Sequence, residues 1–459
     1  MHPRATLAAT ILGSSLAFID GSVVNVALPA LAQSLKVDPT DLPWTINAYL
    51  LPLGALTLLG GALGDHFGRR RLFHCGLSAF TLASAACAAA PTLAWLLAAR
   101  ALQGVGAALL LPNSLAILGG AFGGEARGRA IGSWAAAGAL AGALGPIVGG
   151  WFVDTAGWRT IFLLNLPLAA IAGYLSWNYV EERKESQRAA PLDTAGAALA
   201  TLALGLLTWS LTKASEPHAG QAEIWSAALL GCALLAAFLR LEGKLGDRAL
   251  IPMAMFAAPA FVGLNLLTFF LYGSLGGLLV LLPFFLIRIG GWLAIAAGGA
   301  LLPVPMAIGF GSRLMGRVAA RHGARMPLTL GAGLVGIGLA LYGRIGTPGF
   351  SYWLEVFPPT VLVACGMGAC VAPLTTAIMT SVDPDRVGLA SGFNSAVARV
   401  AGLVATALLG FVFARQESAA SFMSGFRAAA LIGAASAALA AGSAFWFLGR
   451  QTHAPTTHV

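Results

Sequence analysis

Charge is what this chain has least of. Only 10% of its 459 residues are Asp, Glu, Lys or Arg, against about 25% in soluble domains, which excludes a water-soluble globular fold. Cysteine is scarce as well. Cys75, Cys87, Cys232, Cys365 and Cys370 all lie inside apolar runs, without metal-ligand or disulfide-scaffold spacing. They read as small buried residues, and neither a metal nor a cofactor is expected. The chain also lacks HExxH, GxSxG and P-loop patterns and paired catalytic acids in suitable context. A membrane-embedded enzyme and an ATP-driven pump are therefore not expected. No stretch is long and polar enough for a separate soluble domain.

What fills the chain instead is hydrophobic sequence, 58% of it. A bilayer span needs about 20 mainly apolar residues, and fourteen such runs can be marked. The first eight are 8–31, 42–63, 72–90, 93–118, 129–153, 159–180, 193–213 and 223–240. The last six are 260–286, 292–312, 326–344, 353–376, 388–411 and 423–448. The opening run, with Arg4 before it and Ala30-Leu31-Ala32 after, mimics a secretory signal. It exceeds the ~7–15 residues of a signal core and contains Asp20, so a retained first helix is expected.

Net charge is +9, which in a soluble protein would point to nucleic acid. Here the basic residues sit in short loops beside spans and act as topology signals, so no nucleic-acid partner is expected. An even number of spans puts both termini on one side. Placing them in the cytoplasm also puts most basic residues there, including Arg69 to Arg71, Arg183, Lys184, Arg188, Arg248, Arg313, Arg317, Arg321, Arg325 and Arg450. Only a few, such as Arg159, Lys213, Arg288 and Arg415, fall outside. That bias follows the positive-inside rule and implies a multi-pass protein of the cell (inner, cytoplasmic) membrane.

The segment Gly61-Ala62-Leu63-Gly64-Asp65-His66-Phe67-Gly68-Arg69-Arg70 has an echo in Gly316 to Arg325. Gly61 matches Gly316, Gly68 matches Gly323 and Arg70 matches Arg325, while Ala320 replaces Asp65. A decayed repeat implies an all-α fold of two six-helix bundles related by an axis along the membrane normal. The expected division is 1–180 for the first bundle, 181–259 for a linker with two extra spans, and 260–459 for the second. The charged run Glu181 to Glu185 marks the end of the first.

Asp20 lies near the middle of the first span, where a carboxylate costs about 2.5–3.5 kcal/mol on insertion scales. A proton carrier is its natural role; an acid satisfied by a polar helix contact is the plainer one. No other acid sits as deep, since Glu355 falls at the outer edge of its span. From a rise of ~1.5 Å per residue, Asp20 and Arg100 in span 4 both lie roughly 12 Å from the outer ends of their helices. They can pair if those helices are neighbours, and the guanidinium would then favour the ionised carboxylate and help it release a proton. Gln103 shares Arg100's face at i+3. A structural arginine satisfying carbonyls is the alternative. Arg399 is also deep, with no acid at its depth, so a structural role and attraction of anionic substrate stand equal. With Arg399, the polar residues Asn25, Asn47, Gln103 and Asn113 are candidates to line a substrate cavity.

Gly138, Gly142, Gly145 and Gly149 follow i, i+4, i+7, i+11, a flat strip on one helix face, and Pro146 supplies a bend. In the loop, Gly61, Gly64 and Gly68 permit close packing and a tight turn. Asp65 can meet a neighbouring helix N-terminus, and Arg69 to Arg71 can pair with it or anchor at headgroups. A gating latch and a bare topological anchor are both open.

Taken together, these segments resemble the fourteen-helix drug/proton antiporter branch of the major facilitator superfamily. The likeness covers Asp20-Gly21-Ser22-Val23-Val24-Asn25-Val26-Ala27-Leu28-Pro29, Trp44 with Ala48-Tyr49-Leu50-Leu51, the Gly61 to Arg70 loop and Arg100-Ala101-Leu102-Gln103-Gly104. It continues through Glu125-Ala126-Arg127-Gly128-Arg129-Ala130, the glycine strip with Gly145-Pro146, and Gly157-Trp158-Arg159 to Asn165-Leu166-Pro167. It implies export of hydrophobic or amphiphilic compounds in exchange for inward protons, by alternating access. Asp20 would be the coupling site, Arg100 its modulator, and Gly61, Asp65, Gly68, Arg69 and Arg70 the cytoplasmic gate. The glycine strip matches the antiporter motif. Later helices lack the further acids that some cation exporters carry, which favours neutral, zwitterionic or anionic amphiphiles. The expected partners are a small substrate, protons and the lipid bilayer, with the protein a monomer. An uptake symporter and a non-transporting receptor or scaffold remain as competing readings.

Overall fold

Apolar runs of this length have one way to satisfy their backbone in lipid, which is to coil into helices. The computed structural model describes residues 2–182, 193–214, 220–246, 253–345, 349–383, 386–414 and 418–449. Arg183, Lys184, Glu185, Arg188, Arg248, Arg415 and Arg450 lie outside the described residues. The first helices are α1 (Pro3–Leu35), α2 (Leu42–Phe67), α3 (Arg69–Ala88), α4 (Leu93–Ala121), α5 (Gly124–Ala156) and α6 (Thr160–Tyr179). Then come α7 (Thr194–Lys213) and α8 (Gln221–Leu245). The last six are α9 (Pro259–Arg288), α10 (Ala294–His322), α11 (Arg325–Tyr342), α12 (Tyr352–Thr380), α13 (Leu389–Phe413) and α14 (Ala419–Phe447). Thirteen are long and apolar enough to cross a membrane. The remaining one, α3, has 20 residues but opens on three arginines, which dilute its apolar character without shortening it. Each of the fourteen expected runs is a helix.

The second half repeats the packing of the first. α1 packs on α5 and α6, and α4 on α2 and α3; correspondingly α9 packs on α13 and α14, and α12 on α10 and α11. The two loops singled out as a repeat occupy matching places. Gly68 joins α2 to α3 at φ 105° and Gly323 joins α10 to α11 at φ 84°. Each amide donates to the carbonyl four residues back, Gly64 at 2.9 Å and Ala319 at 2.8 Å. Helices α7 and α8 pack on each other, and α7 leans on α2 and α13, which face each other across the seam between halves.

The start of α1 and the end of α14 lie on one face, called here the terminal face; the other is the far face. Exposed tryptophans mark both boundaries, Trp177 and Trp446 near the terminal face and Trp225 and Trp353 near the far face. Amphipathic rings at the two interfaces of a bilayer have this arrangement.

Candidate functional site

Asp20 on α1 is fully buried, and Arg100 on α4 is only 1% exposed. Arg100 Nη1 donates to Asp20 Oδ2 in a closed ion pair. The other carboxylate oxygen, Oδ1, accepts from Gln103 Nε2 at 3.1 Å and from Asn165 Nδ2 at 3.3 Å. Arg100 also donates to Gln103 Oε1 at 2.9 Å and, through Nε, to the Thr45 carbonyl at 3.1 Å. Ser84 on α3 accepts from Gln103 at 2.8 Å and from Asn165 at 3.2 Å, and the Cys87 thiol donates to Gln103 at 3.3 Å. Five helices thus converge on one carboxylate. Burial of both charges is tolerable because each finds its opposite and both carry further hydrogen bonds, although Asn165 Oδ1 is buried without a partner among the described residues.

Local sequence explains the convergence. Arg100 and Gln103, three apart, share a helix face. Gly104 lets α2 come so close that a Cβ there would run into the Tyr49 carbonyl and Pro52. That approach seats the Arg100 guanidinium 4.5 Å from the centre of the Tyr49 ring, whose hydroxyl donates to the Ala17 carbonyl at 3.0 Å. Depth counting anticipates the Asp20–Arg100 contact and the Gln103 support. Asn165, Ser84, Tyr49 and Thr45 are additions from the structure. An amide isolated in the apolar run Leu163-Leu164-Asn165-Leu166 was the available signal for the first.

A separate cavity of about 400 Å³ opens between the halves, lined by Leu50 of α2, Tyr272, Leu275 and Leu279 of α9, and Thr375 and Ile378 of α12. Ser391, Asn394 and Arg399 of α13 complete it. Ile378 and Ser391 lie near the terminal-face ends of their helices, so the cavity extends towards that side. Among the five polar cavity candidates, Arg399 lines it and the other four do not. Gln103 belongs to the buried ion-pair cluster. Asn113 is a packing group, donating to the Gly60 and Leu109 carbonyls at 2.9 and 2.8 Å where Gly64 admits it between α2 and α4. Asn25 and Asn47 are buried, and Asn25 Oδ1 and both polar atoms of the Asn47 side chain lack a partner among the described residues. Depth in the sequence does not specify the direction a side chain takes around its helix.

The charged loop is tied within the first half. Asp65 Oδ1 accepts from Arg69 Nε at 2.9 Å, and Arg69 Nη1 reaches the Ala116 carbonyl of α4 at 3.3 Å. Arg70 donates to the Trp177 carbonyl of α6 at 2.7 Å and lies over its ring. Gly61 faces Pro112, and a Cβ on Gly68 would crowd the Glu182 carboxylate.

The glycine strip of α5 lies along α1. Gly138 and Gly142 face Phe18, Gly145 faces Ser22, and Gly149 faces Val23. α5 runs unbroken through Pro146. From the end of the strip onward, α5 meets the other half. Gly150 abuts the Ala294 backbone, and Gly298 abuts the Pro146 carbonyl. Asp154 accepts from the amides of Ala294 and Ile295 at 3.1 and 2.9 Å, capping the first turn of α10. These contacts join the two halves at the far face. Asp154 is a residue that motif reading missed, although an acid just past Gly149-Gly150 is visible in the sequence.

Two helix groups built on one packing plan, enclosing a buried ion pair and a cavity on their seam, define a membrane transporter. The chain belongs to the Major Facilitator Superfamily, whose sequence profile matches residues 10–406, and it is not an enzyme. It is 34% identical over 421 residues to the Multidrug resistance protein Stp of Mycobacterium tuberculosis, covering 90% of this chain and 76% of that one. It is 31% identical over 405 residues to the Methylenomycin A resistance protein of Bacillus subtilis, covering 87% and 85%. The Tetracenomycin C resistance and export protein of Streptomyces glaucescens is 30% identical over 419 residues, covering 90% and 76%. Among solved structures, a D-xylose-proton symporter superposes with TM-score 0.70 at 16% identity, covering 98% of this chain and 99% of that one. An inward-facing, unoccupied bacterial homologue of the lysosomal transporter Spinster gives 0.66 at 16% identity, covering 96% of each. Those two likenesses concern the fold.

Proposed function

We propose that this protein exports small hydrophobic or amphiphilic compounds, drugs or toxic metabolites among them, in exchange for protons. The buried cluster of Asp20, Arg100, Gln103 and Asn165 carries the reading. A deep carboxylate held by a guanidinium and two amides has two stable states, ionised and paired or protonated and released. The relatives named for multidrug resistance, methylenomycin A resistance, and tetracenomycin C resistance and export support the cargo class.

In this reading the protein sits in the cell membrane as a monomer with both termini cytoplasmic. Residues 1–180 and 260–459 rock against each other, with 181–259 as linker. Protonation of Asp20 neutralises Arg100's partner and frees α1 from α4. Because α1 also carries the face on which the α5 glycines ride, the change passes to α5 and on to its contact with α10 at the far face. Gly61, Asp65, Gly68, Arg69 and Arg70 act as the cytoplasmic latch, and the seam cavity takes the cargo.

The test is an efflux assay in cells against a panel of antibiotics and dyes, with and without a protonophore. Protonophore-sensitive extrusion supports the reading. Gradient-driven accumulation inward would make the protein an uptake symporter, and the absence of any flux a receptor or scaffold.

A further inference from the structure

The two deep arginines differ in one respect. Arg100 has a carboxylate, an amide oxygen and a carbonyl as partners. Arg399, near the midpoint of α13, has no hydrogen bond or ion pair among the described residues, and its Nε is buried without an acceptor. It lies in the wall of the 400 Å³ cavity. Among the described residues, that wall contains no Asp or Glu. Its other polar groups are neutral, and the Asn394 amide is already committed to Asn265 Oδ1 at 3.1 Å and Thr268 Oγ1 at 2.6 Å. The Tyr272 hydroxyl adds a second donor without a partner among the described residues. The remaining wall is largely aliphatic, with Leu50, Leu275 and Leu279 on it.

From this we infer that the cavity selects amphiphiles carrying a single anionic head, a carboxylate or sulfonate, and that Arg399 binds that head. An uncompensated guanidinium in a low-dielectric place is strongly unfavourable. Its planar fork of donors matches the oxygens of a carboxylate or sulfonate two at a time. The aliphatic wall then takes the apolar body, and a volume of about 400 Å³ is that of a site for a drug-sized molecule. A cationic amphiphile of the same shape would meet the guanidinium with no acid to offset it. The position also suits communication with the ion pair. A Cβ added to Gly54 of α2 would lie 3.5 Å from Arg399 Cβ, so that helix passes close to Arg399, and Tyr49, on the same helix, packs against Arg100. The inference takes the cavity as the cargo site of the exporter proposed above.

The test measures binding to purified protein in a non-ionic detergent by dansyl fluorescence, using one fluorophore in three charge states. The probes are dansylglycine as the anion, dansylamide as the neutral form and N-dansyl-aminoethyl-trimethylammonium as the cation. Wild type is expected to bind the anion about tenfold or more tightly than the cation, the scale of a charge-assisted hydrogen-bonded pair. Arg399→Gln should abolish that ratio and Arg399→Lys should retain part of it. Arg313→Gln, on the exposed face of α10, should keep it. Thermal unfolding establishes that each variant is folded; if Arg399→Gln is not, the Lys variant decides, since a ratio it leaves at the wild-type value or above speaks against bidentate capture. Equal affinities in wild type, a cation preference, or a ratio that survives Arg399→Gln would overturn the inference. Reconstituted vesicles separate it from the export reading. Anion preference without proton-driven dansylglycine flux sustains the inference and overturns export, whereas proton-driven dye flux without charge preference does the reverse.

Discussion

Arg100 meets Asp20 across 80 residues of chain, in a place where neither side chain reaches solvent. A buried pair of this kind gains little over two apolar side chains, but removing one partner strands the other. Arg100→Ala is expected to destabilise the folded protein by about 3–5 kcal/mol, read as a lower unfolding midpoint in detergent. Adding Asp20→Asn removes the stranded carboxylate and should recover much of the loss. Simple additivity of the two losses would contradict the pairing.

Tyr49 serves Arg100 with its ring and Ala17 with its hydroxyl. Tyr49→Phe keeps the ring and is expected to cost about 1 kcal/mol, the net worth of one hydrogen bond. Tyr49→Ala opens a cavity beneath the guanidinium and should cost about 3–5 kcal/mol. Unfolding midpoints measured side by side check this, and equal effects would rule out support by the ring.

At the far face, Asp154 and Gly150 hold α5 against α10. Asp154→Ala removes the cap, and Gly150→Val pushes a side chain into the Ala294 backbone. Both are expected to open that face. With Ile295→Cys as a reporter in a background freed of native cysteines, labelling by an impermeant maleimide should quicken several-fold. Unchanged labelling in both variants would show that these contacts do not close the far face.

Gly68 and Gly323 both combine positive φ with extended ψ, where a Cβ costs about 1–3 kcal/mol. Gly68→Ala and Gly323→Ala should each lower the unfolding midpoint accordingly. Gly68→Ala should do more, because its Cβ also displaces Glu182, which accepts from the Arg71 amide at 3.2 Å. A neutral Gly323→Ala would break the equivalence of the two loops.

Much of this architecture is legible in the residues. Apolar length alone marks the spans, including α3, whose arginines lower its hydropathy without hiding it. Antiparallel helices of known rise make depth a coordinate, which is why Asp20 and Arg100 can be matched by counting residues alone. Azimuth is not readable in the same way. Asn47 and Asn113 are polar residues in apolar helices just as Arg399 is, yet they turn inward against neighbouring helices while Arg399 turns to the cavity. The role of Ser84 depends on five helices meeting at one point, and nothing in its own neighbourhood encodes that, whereas Asn165 at least stands out as an amide in an apolar run. Asp154 illustrates a third case, since its partner is the backbone of another helix and so leaves no mark on side-chain patterns.

The most direct measurement is gradient-driven transport by Asp20→Asn in vesicles. Wild-type protein, reconstituted with an imposed proton gradient, should concentrate a dye from the efflux panel, and a protonophore should abolish the accumulation. Asp20→Asn, inserted in equal amount, should fall to the protonophore baseline, because an amide at this position cannot alternate between paired anion and neutral acid. Undiminished gradient-driven accumulation by Asp20→Asn would contradict the account at its centre.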